Sequence, residues 1–401
     1  MNYAYKVILK SGKDASVERR HPWVFSGAIK KIKNQDNREA DPMDGDTVCV
    51  VNNKDKFLGA GHFAYGSIAV RILTFEENQE IDKNFYVEKF KKAYALREQI
   101  NLTDNPETNI FRFIHAEGDG LPGLVIDHYA GSLVVQAHSH GMHESREIIS
   151  EALQEVFGDK LNAIYYKSKE TLPKDLDVED YYLYNTKNVR NQPLEYDWKF
   201  DINWITGQKT GFFVDQRENR KLIADYSKGK KVLNTFCYSG GFSIAALKAG
   251  ATEVHSVDAS GKAIDLTDIN VKLNDVESNH KSFVSDTFKF FESEADENYD
   301  IIILDPPAFA KHQNKKHNAV QGYKRLNATA LRFIQPGGIL FTFSCSQVVD
   351  RKLFYNTIMA AGIQVGREIK VLHHLSQPAD HPVSIFHPEG EYLKGLVLQV
   401  W

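Results

Sequence analysis

The chain has 401 residues, 42% hydrophobic, 25% charged and 11% aromatic, a balance that excludes a disordered or low-complexity protein. At roughly 100 to 200 residues per domain, the length predicts two or three domains, each able to bury a core without metals or disulfides. Lys and Arg number 49 against 53 Asp and Glu, a net charge of −4 that excludes a surface coated in cations. The distribution is less even. Residues 1 to 40 carry nine Lys and Arg against four acids, and residues 301 to 335 carry six against the single Asp305. Two basic zones on an acidic chain suit a nucleic-acid enzyme with a confined footprint, and they equally suit solvated faces. Cys49, Cys237 and Cys345 are too few and too scattered for a disulfide framework. No signal-like start and no uncharged apolar run of about 18 residues is present, so a cytoplasmic location is expected.

Residues 1 to 75 read as short alternating strands, YKVILK, DTVCVVN, FLGAGHF and SIAVRIL, separated by Gly, Asp and Asn turns: a small all-β domain. Ahead of one turn stand Arg19, Arg20, His21, Pro22, Trp23, Val24 and Phe25. Aromatics beside arginine suit stacking on unpaired bases, with the cations on phosphate; they also suit the filling of a small barrel. Residues 76 to 195 open with a charged helix, followed by strands FRFIHAE and GLVIDHY around Gly118-Asp119-Gly120-Leu121-Pro122-Gly123. That hexapeptide matches a dinucleotide-binding pattern, but Pro122 and a β-branched run stand where a helix must follow, so it reads as a hairpin turn. A strand, a helix and further strands complete a central α+β domain. Its His138, His140 and His143 lack an acid or thiol at ligand spacing, so no metal is expected.

From residue 196 to 401 apolar strands alternate with amphipathic helices of about 12 residues, the pattern of a doubly wound, Rossmann-like α/β sheet. Ligands of such sheets bind beyond the carboxyl ends of the strands. The first strand runs into Asn234-Thr235-Phe236-Cys237-Tyr238-Ser239-Gly240-Gly241, a tight turn with glycines at a helix start. The second ends in Asp258, 24 residues beyond Asn234, where a carboxylate can hold ribose hydroxyls. The third ends in Asp286, placed to meet an adenine edge, although a strand-end acid is often a helix cap. The fourth ends in Asp305-Pro306-Pro307-Ala308-Phe309, the fifth in Ser344-Cys345-Ser346.

Acids after three successive strands, a DPP turn and a cysteine after the fifth strand resemble the class I S-adenosylmethionine methyltransferases. Where that fold usually has an acid and three alternating glycines, this chain has Asn234, Phe236, Tyr238 and Gly240. With RRHPWVFSGAI, EGDGLPGLVIDHY, TGQKTGFFVDQRENR, NTFCYSGGFS, DPPAF, GYKRLN, FSCS, ADHPV and PEGEYLKG included, the whole chain is similar to the bacterial 23S ribosomal RNA cytosine-C5 methyltransferase family. The resemblance implies an N-terminal PUA domain, S-adenosylmethionine as cofactor, ribosomal RNA as partner, and a homodimer. It implies cofactor binding by Gln216, Arg217, Asn234, Phe236, Gly240, Asp258, Asp286, Asp305 and Pro306. RNA contact is implied for Arg20 and Trp23, and the basic stretch from Lys311 through Lys324 to Arg325 lies where phosphates of a flipped nucleotide would pass.

The resemblance also gives Cys345 a task. Carbon 5 of cytosine is a poor nucleophile, and a thiolate adding to C6 pushes electron density onto it. Asp305 would bond the N3/N4 edge of the base. Many RNA cytosine-C5 enzymes carry a second cysteine after the motif proline to release the product; here that position is Ala308. Asp380, His381, His387 and Glu389 are candidate bases for the C5 proton, or else residues that cap loops or orient RNA. Two other functions stay open: methylation of an exocyclic amine of guanine or adenine, for which DPPAF is also suited, and a non-enzymatic RNA-binding or assembly factor.

Overall fold

A computed structural model describes residues 3–174, 176–185, 192–295, 298–310 and 312–401. The chain forms two units: residues 1–191, 203–214 and 379–390 make the first, and 192–202, 215–378 and 391–401 the second.

The first unit contains two sheets. One has six strands in the order Trp23–Phe25, Ile68–Thr74, Phe57–Phe63, Thr47–Val51, Tyr5–Leu9, Ile29–Asn34. Val7, Leu9, Val48, Val50, Val70 and Ile72 fill its interior. A β-bulge falls at Ala60/Gly61, and Gly61 is required there because a Cβ would stand 1.9 Å from the Arg71 carbonyl oxygen. The other sheet runs Tyr181–Tyr184, Ala163–Tyr166, Ser132–Ala137, Leu124–Tyr129, Ile110–His115. Helices Lys83–Gln99 and Arg146–Phe157 pack together in the same core. Asp82 starts the first of them by accepting from the Phe85 amide (2.9 Å). Phe90, Phe113 and Phe157 meet there, the last two edge to face at 4.8 Å. Truncating one such ring to alanine costs about 3–5 kcal/mol.

The Gly118–Gly123 loop joins antiparallel strands through a short 3-10 turn, with Gly120 and Gly123 in the left-handed region; no helix follows it. It is a hairpin connection, as Pro122 indicates.

Two segments belong to the first unit although the sequence pattern places them with the C-terminal sheet. Residues 203–214 are held by buried polar groups: the Lys167 ammonium donates to the Trp204 and Gly207 carbonyls (2.6 Å each), and Thr210 donates to Asp127 (2.6 Å). Residues 379–390 are held by Arg97, whose fully buried guanidinium donates to both Asp119 oxygens, to the Arg112 carbonyl and to the Asp380 carbonyl. The Asp380 carboxylate in turn accepts from the Arg112 amide (2.8 Å). Gly118 allows the approach, since a Cβ there would lie 1.8 Å from the Pro382 carbonyl oxygen.

The second unit is built on seven strands: β1 (Lys231–Thr235), β2 (Glu253–Asp258), β3 (His280–Val284), β4 (Tyr299–Leu304), β5 (Ile334–Ser344), β6 (Ile369–Ser376) and β7 (Lys394–Val400). Their order is β3-β2-β1-β4-β5-β7-β6, with β7 antiparallel to both neighbours. Val232, Leu233, Ile302, Ile303, Leu304, Leu340 and Phe341 are fully or almost fully buried, because helices cover both faces of a parallel sheet. Helix Lys316–Phe333 buries Ala319, Tyr323, Leu326, Ala330 and Leu331, a stripe at helical spacing. The strand order reverses between β1 and β4, which opens a crevice at their carboxyl ends.

Burial holds two imidazoles of the first unit neutral, His62 and His128, each pushed down to about 4. His128 is in a single tautomer, donating from Nδ1 to the Asn109 carbonyl and accepting at Nε2 from the Gly131 amide. A folded pKa below the unfolded value near 6.5 contributes stability that is present above pH 6.5 and is lost as pH falls toward 4. At pH 5 the loss is about 2 kcal/mol per ring. The thermal midpoint of unfolding is expected to fall between pH 7 and pH 5, with both rings titrating near 4 by nuclear magnetic resonance; titration near 6.5 would refute the assignment.

Candidate active site

The parallel register sets the ends of β1, β4 and β5 side by side, with Thr235 opposite Leu304 and Leu304 opposite Thr342. Asn234 is the last but one residue of β1 and is fully buried. Its amide donates to Ser243 Oγ (2.9 Å), which bonds Ser256 Oγ, which bonds His280 Nε2 (both 2.7 Å). This polar chain runs inside the sheet, so Asn234 fixes the root of the turn that follows it.

In that turn Phe236, Tyr238 and Gly240 have φ of 56°, 48° and 76°. Every second residue is therefore left-handed, the conformation that alternating glycines would take at no cost. For Phe236 and Tyr238 it costs about 1–2 kcal/mol each. Offsetting contacts are visible: the Tyr238 amide donates to Asp258 Oδ2 (3.1 Å), and its carbonyl accepts from Thr267 (2.9 Å). Gly240 admits no side chain, because a Cβ would stand 2.8 Å from Thr267 Cγ2. Helix Gly241–Lys248 begins directly after it, so its first amides, which lack intrahelical partners, follow the end of β1.

Asp258 ends β2 and accepts with its other oxygen from the Ser260 amide (2.9 Å), so one carboxylate ties two strand-end turns together. Asp286 ends the loop after β3 and caps helix Thr287–Ser293, accepting from the Phe288 and Lys289 amides through Oδ1. Gln216 and Arg217 are buried at the start of helix Arg217–Ser227, where Gln216 accepts from Asn219 (2.6 Å). That helix packs on Gly241–Lys248, and Gly241 lies against Arg220, itself in a buried bidentate pair with Glu195.

Asp305 follows β4 and Pro306 is buried behind it. Cys345 follows β5 and is partly exposed, unlike buried Cys49 and Cys237. Burial pushes the Cys237 thiol up to about 12, which leaves it inert. The turn that carries Cys345 is fixed from two sides. Ser346 Oγ donates to the Ala310 carbonyl (2.6 Å), joining it to the DPPAF loop. Lys394, at the start of β7, donates to the Ser346 and Val349 carbonyls (2.7 and 2.8 Å). Burial pushes the Tyr323 phenol up to about 12; Ser344 opposes the rise, and Cys345 and Asp305 add to it more weakly. Lys394 escaped the sequence reading, since only the pairing of Ser344 with Lys394 brings it to the cysteine.

The expected RNA contacts fall in different surroundings. Arg20 is exposed, with its guanidinium 5.9 Å from the Phe75 ring centre. Trp23 is half-buried, donates from Nε1 to Glu117 (2.9 Å) and meets the His387 ring at 4.4 Å; Phe25, on the same strand, is 47% exposed. Arg325 stacks on Phe288 at 4.1 Å and Lys324 is half-buried on the same helix; Lys311 lies outside the described residues. Asp380 and His381 are buried in the Arg97 network. His387 and Glu389 pack on His21 and Trp23, with ligand atoms of His21, His387 and Glu389 within 4.8 Å of one another. Asp380 is thus engaged in holding residues 379–390 in place and His381 bonds it, whereas the His387 imidazole makes ring contacts and the Glu389 carboxylate is half exposed.

Comparison with known proteins agrees with this geometry. Residues 185–383 match a family described as S-adenosylmethionine-dependent methyltransferase, and residues 7–75 match a PUA-like domain. A ribosomal RNA large subunit methyltransferase I from Aeromonas hydrophila subsp. hydrophila is 37% identical over 403 residues, covering 98% of each chain. That of Shewanella denitrificans is 38% identical over 405 residues, covering 99% of this chain and 100% of its own. Among solved structures, a Streptococcus mutans protein assigned as a SAM-dependent methyltransferase superposes with a TM-score of 0.81 at 21% identity, over 98% of this chain and 99% of that one. Another, assigned as a methyltransferase and solved with SAH bound, gives 0.82 at 22% identity over the same shares. A doubly wound sheet with these strand ends, preceded by a PUA-like domain, defines an S-adenosylmethionine-dependent methyltransferase. The chain belongs to the ribosomal RNA large subunit methyltransferase I family.

The residues present fit that cofactor: a left-handed turn closed to side chains at Gly240, free helix amides, and a carboxylate at the second strand end. Gly240→Ala is expected to weaken S-adenosylmethionine binding at least tenfold by calorimetry. Gly261→Ala, where a Cβ meets nothing within 4 Å, is expected to leave it unchanged. Equal affinity in the two variants would remove the turn from the cofactor site.

Proposed function

We propose that the protein methylates C5 of a cytosine in large-subunit ribosomal RNA through a covalent Cys345 adduct. One observation carries this reading: the single partly exposed cysteine stands at the end of β5, in a turn bonded to the DPPAF loop through Ser346 and Ala310. The RNA target is supported by the two relatives, both large-subunit ribosomal RNA methyltransferases. A PUA-like domain at residues 7–75 supports RNA binding.

S-adenosylmethionine supplies an electrophilic methyl group on its sulfonium. In this reading, the Asp258 carboxylate holds the ribose hydroxyls, Asp286 turns its uncapped oxygen to the adenine, and Asn234, Phe236 and Gly240 shape the turn beneath. Gln216, Arg217, Asp305 and Pro306 enclose the methionine end. The Cys345 thiolate adds to C6 of the cytosine, forming a C–S bond and moving the ring electron pair toward C5. Asp305 bonds the N3/N4 edge, which favours the ring form that accepts the thiolate. When C5 takes the methyl group the sulfonium–carbon bond breaks; the C5 proton then passes to solvent, the C5–C6 double bond is restored and the C6–S bond breaks to release Cys345. The target base must be unpaired or flipped, since attack at C6 needs the face of the ring. Arg20, Lys311, Lys324 and Arg325 meet phosphate. On the first strand-end of the PUA-like sheet, exposed Phe25 is the better stacking surface, with Trp23 holding its strand in place.

The test is nucleoside mass spectrometry of hypomethylated ribosomal RNA incubated with methyl-labelled S-adenosylmethionine. Label is expected in 5-methylcytidine with the native protein and at least 1,000-fold less with Cys345→Ala, a loss on the order of 4 kcal/mol in transition-state stabilisation. Label in methylguanosine or methyladenosine with both proteins would overturn the thiolate reading in favour of amine methylation.

A further inference from the structure

We propose that Lys394 is a positioning residue of the methyl-transfer site, its buried ammonium holding the Cys345 sulfur in the thiolate form. The inference rests on the reading of Cys345 as the nucleophile. It starts from the strand pairing: Lys394 lies directly across from Ser344 on β7, one residue from Cys345. Its side chain is buried, and Nζ donates to the Ser346 and Val349 carbonyls, both in the turn that carries the cysteine. An ammonium has three donors, and the third remains beyond these two bonds.

A buried cation is normally matched by a carboxylate. Among the described residues none forms an ion pair with Lys394. The two nearest acids are engaged elsewhere: Glu391 pairs with Arg351, and Asp350 caps helix Arg351–Val365 by accepting from the Leu353 amide (2.8 Å). Burial pushes Lys394 down to about 8, and Cys345 is the strongest influence in the other direction, ahead of Glu391 and Asp350, while Arg351 opposes them. From the remaining elements, Tyr323, whose phenol stays neutral, is influenced by both Cys345 and Asp305, and the negative charge of Asp305 disfavours a second anion in the same surroundings. Lys394 is a buried cation that can offset Asp305. A cysteine thiol of ordinary pKa near 8.5 is mostly protonated at pH 7, and an adjacent cation lowers that value. On ionisation the thiol proton leaves to solvent, and the pair becomes ammonium and thiolate.

The experiment is the pH dependence of iodoacetamide alkylation at Cys345, read by peptide mass spectrometry on the full-length protein. Cys49 and Cys237, both buried, provide slow internal references. The native midpoint is expected below pH 7.5, and Lys394→Met is expected to raise it by at least one pH unit. Lys394→Arg is expected to restore most of the shift. S-adenosylmethionine affinity by calorimetry reports whether each variant is folded. In methyl transfer, Lys394→Met is expected to lower kcat at least tenfold with KM for S-adenosylmethionine unchanged. A native midpoint at or above 8.5, which needs no variant, would overturn the proposal, as would the same midpoint in native and Lys394→Met proteins. If Cys345→Ala retained full activity, the nucleophile reading would fail, while the alkylation profile would still decide whether Lys394 controls the thiol.

Discussion

Burial of β1, β4 and β5 on both faces is the constraint from which the arrangement of the second unit follows. Strands made of Val232, Leu233, Ile302, Ile303, Leu340 and Phe341 have no solvated side on which to display polar chemistry. Such chemistry is left to the points where the strands stop. The parallel register brings those points into one row, and the reversal between β1 and β4 parts the covering helices there. Asp258, Asp286, Asp305 and Cys345 share no sequence neighbourhood; they share only the property of standing at or just past the carboxyl end of a strand.

The turn after β1 shows conformation persisting where residue type has changed. Three alternating left-handed positions are a backbone requirement, met here by Phe236, Tyr238 and Gly240. Two side chains bear strain that glycine would avoid, and it is offset by bonds from the Tyr238 backbone to Asp258 and Thr267. Only Gly240 has no substitute, because Thr267 already fills the space beside it. A ligand-shaped turn can thus be built from bulky residues wherever neighbouring elements hold its amides and carbonyls.

The fold class was legible in the sequence because its signals are local: apolar strands of similar length, helical spacing between them, and an acid or cysteine after the second to fifth strands. What was not legible depends on pairing across long separations. Lys394 reaches Cys345 only because β7 inserts antiparallel between β5 and β6, which no periodicity announces. Residues 203–214 and 379–390 join the first unit through Lys167 and Arg97, which donate to backbone carbonyls, and through Asp127, which accepts from Thr210; all three are buried charges whose partners lie far off in the chain and leave no mark in a sequence pattern. Asp286 was ambiguous from the start, and its cap bonds show that one oxygen serves the helix while the other stays available. Trp23 was recognisable as special but not as an anchor, because Glu117 and His387 are far from it in the chain.

Residues 379–390 carry the sharper lesson about acid–histidine motifs. Asp380-His381 and His387-Pro388-Glu389 have the composition of a catalytic base, yet the first pair has structural employment. Asp380 satisfies the Arg112 amide with its carboxylate and Arg97 with its carbonyl, and His381 bonds its neighbour Asp380 (3.1 Å). Withdrawing Arg97 would leave Asp119 buried and uncompensated, an error worth about 3–5 kcal/mol. The Arg97 network needs no catalytic explanation. By contrast, Lys394 is a buried charge whose hydrogen bonds satisfy only carbonyls and whose nearest acids are engaged elsewhere. A fold bears the cost of such a cation when the missing negative charge is supplied at another moment, and the sulfur of Cys345 is the neighbouring group able to supply it.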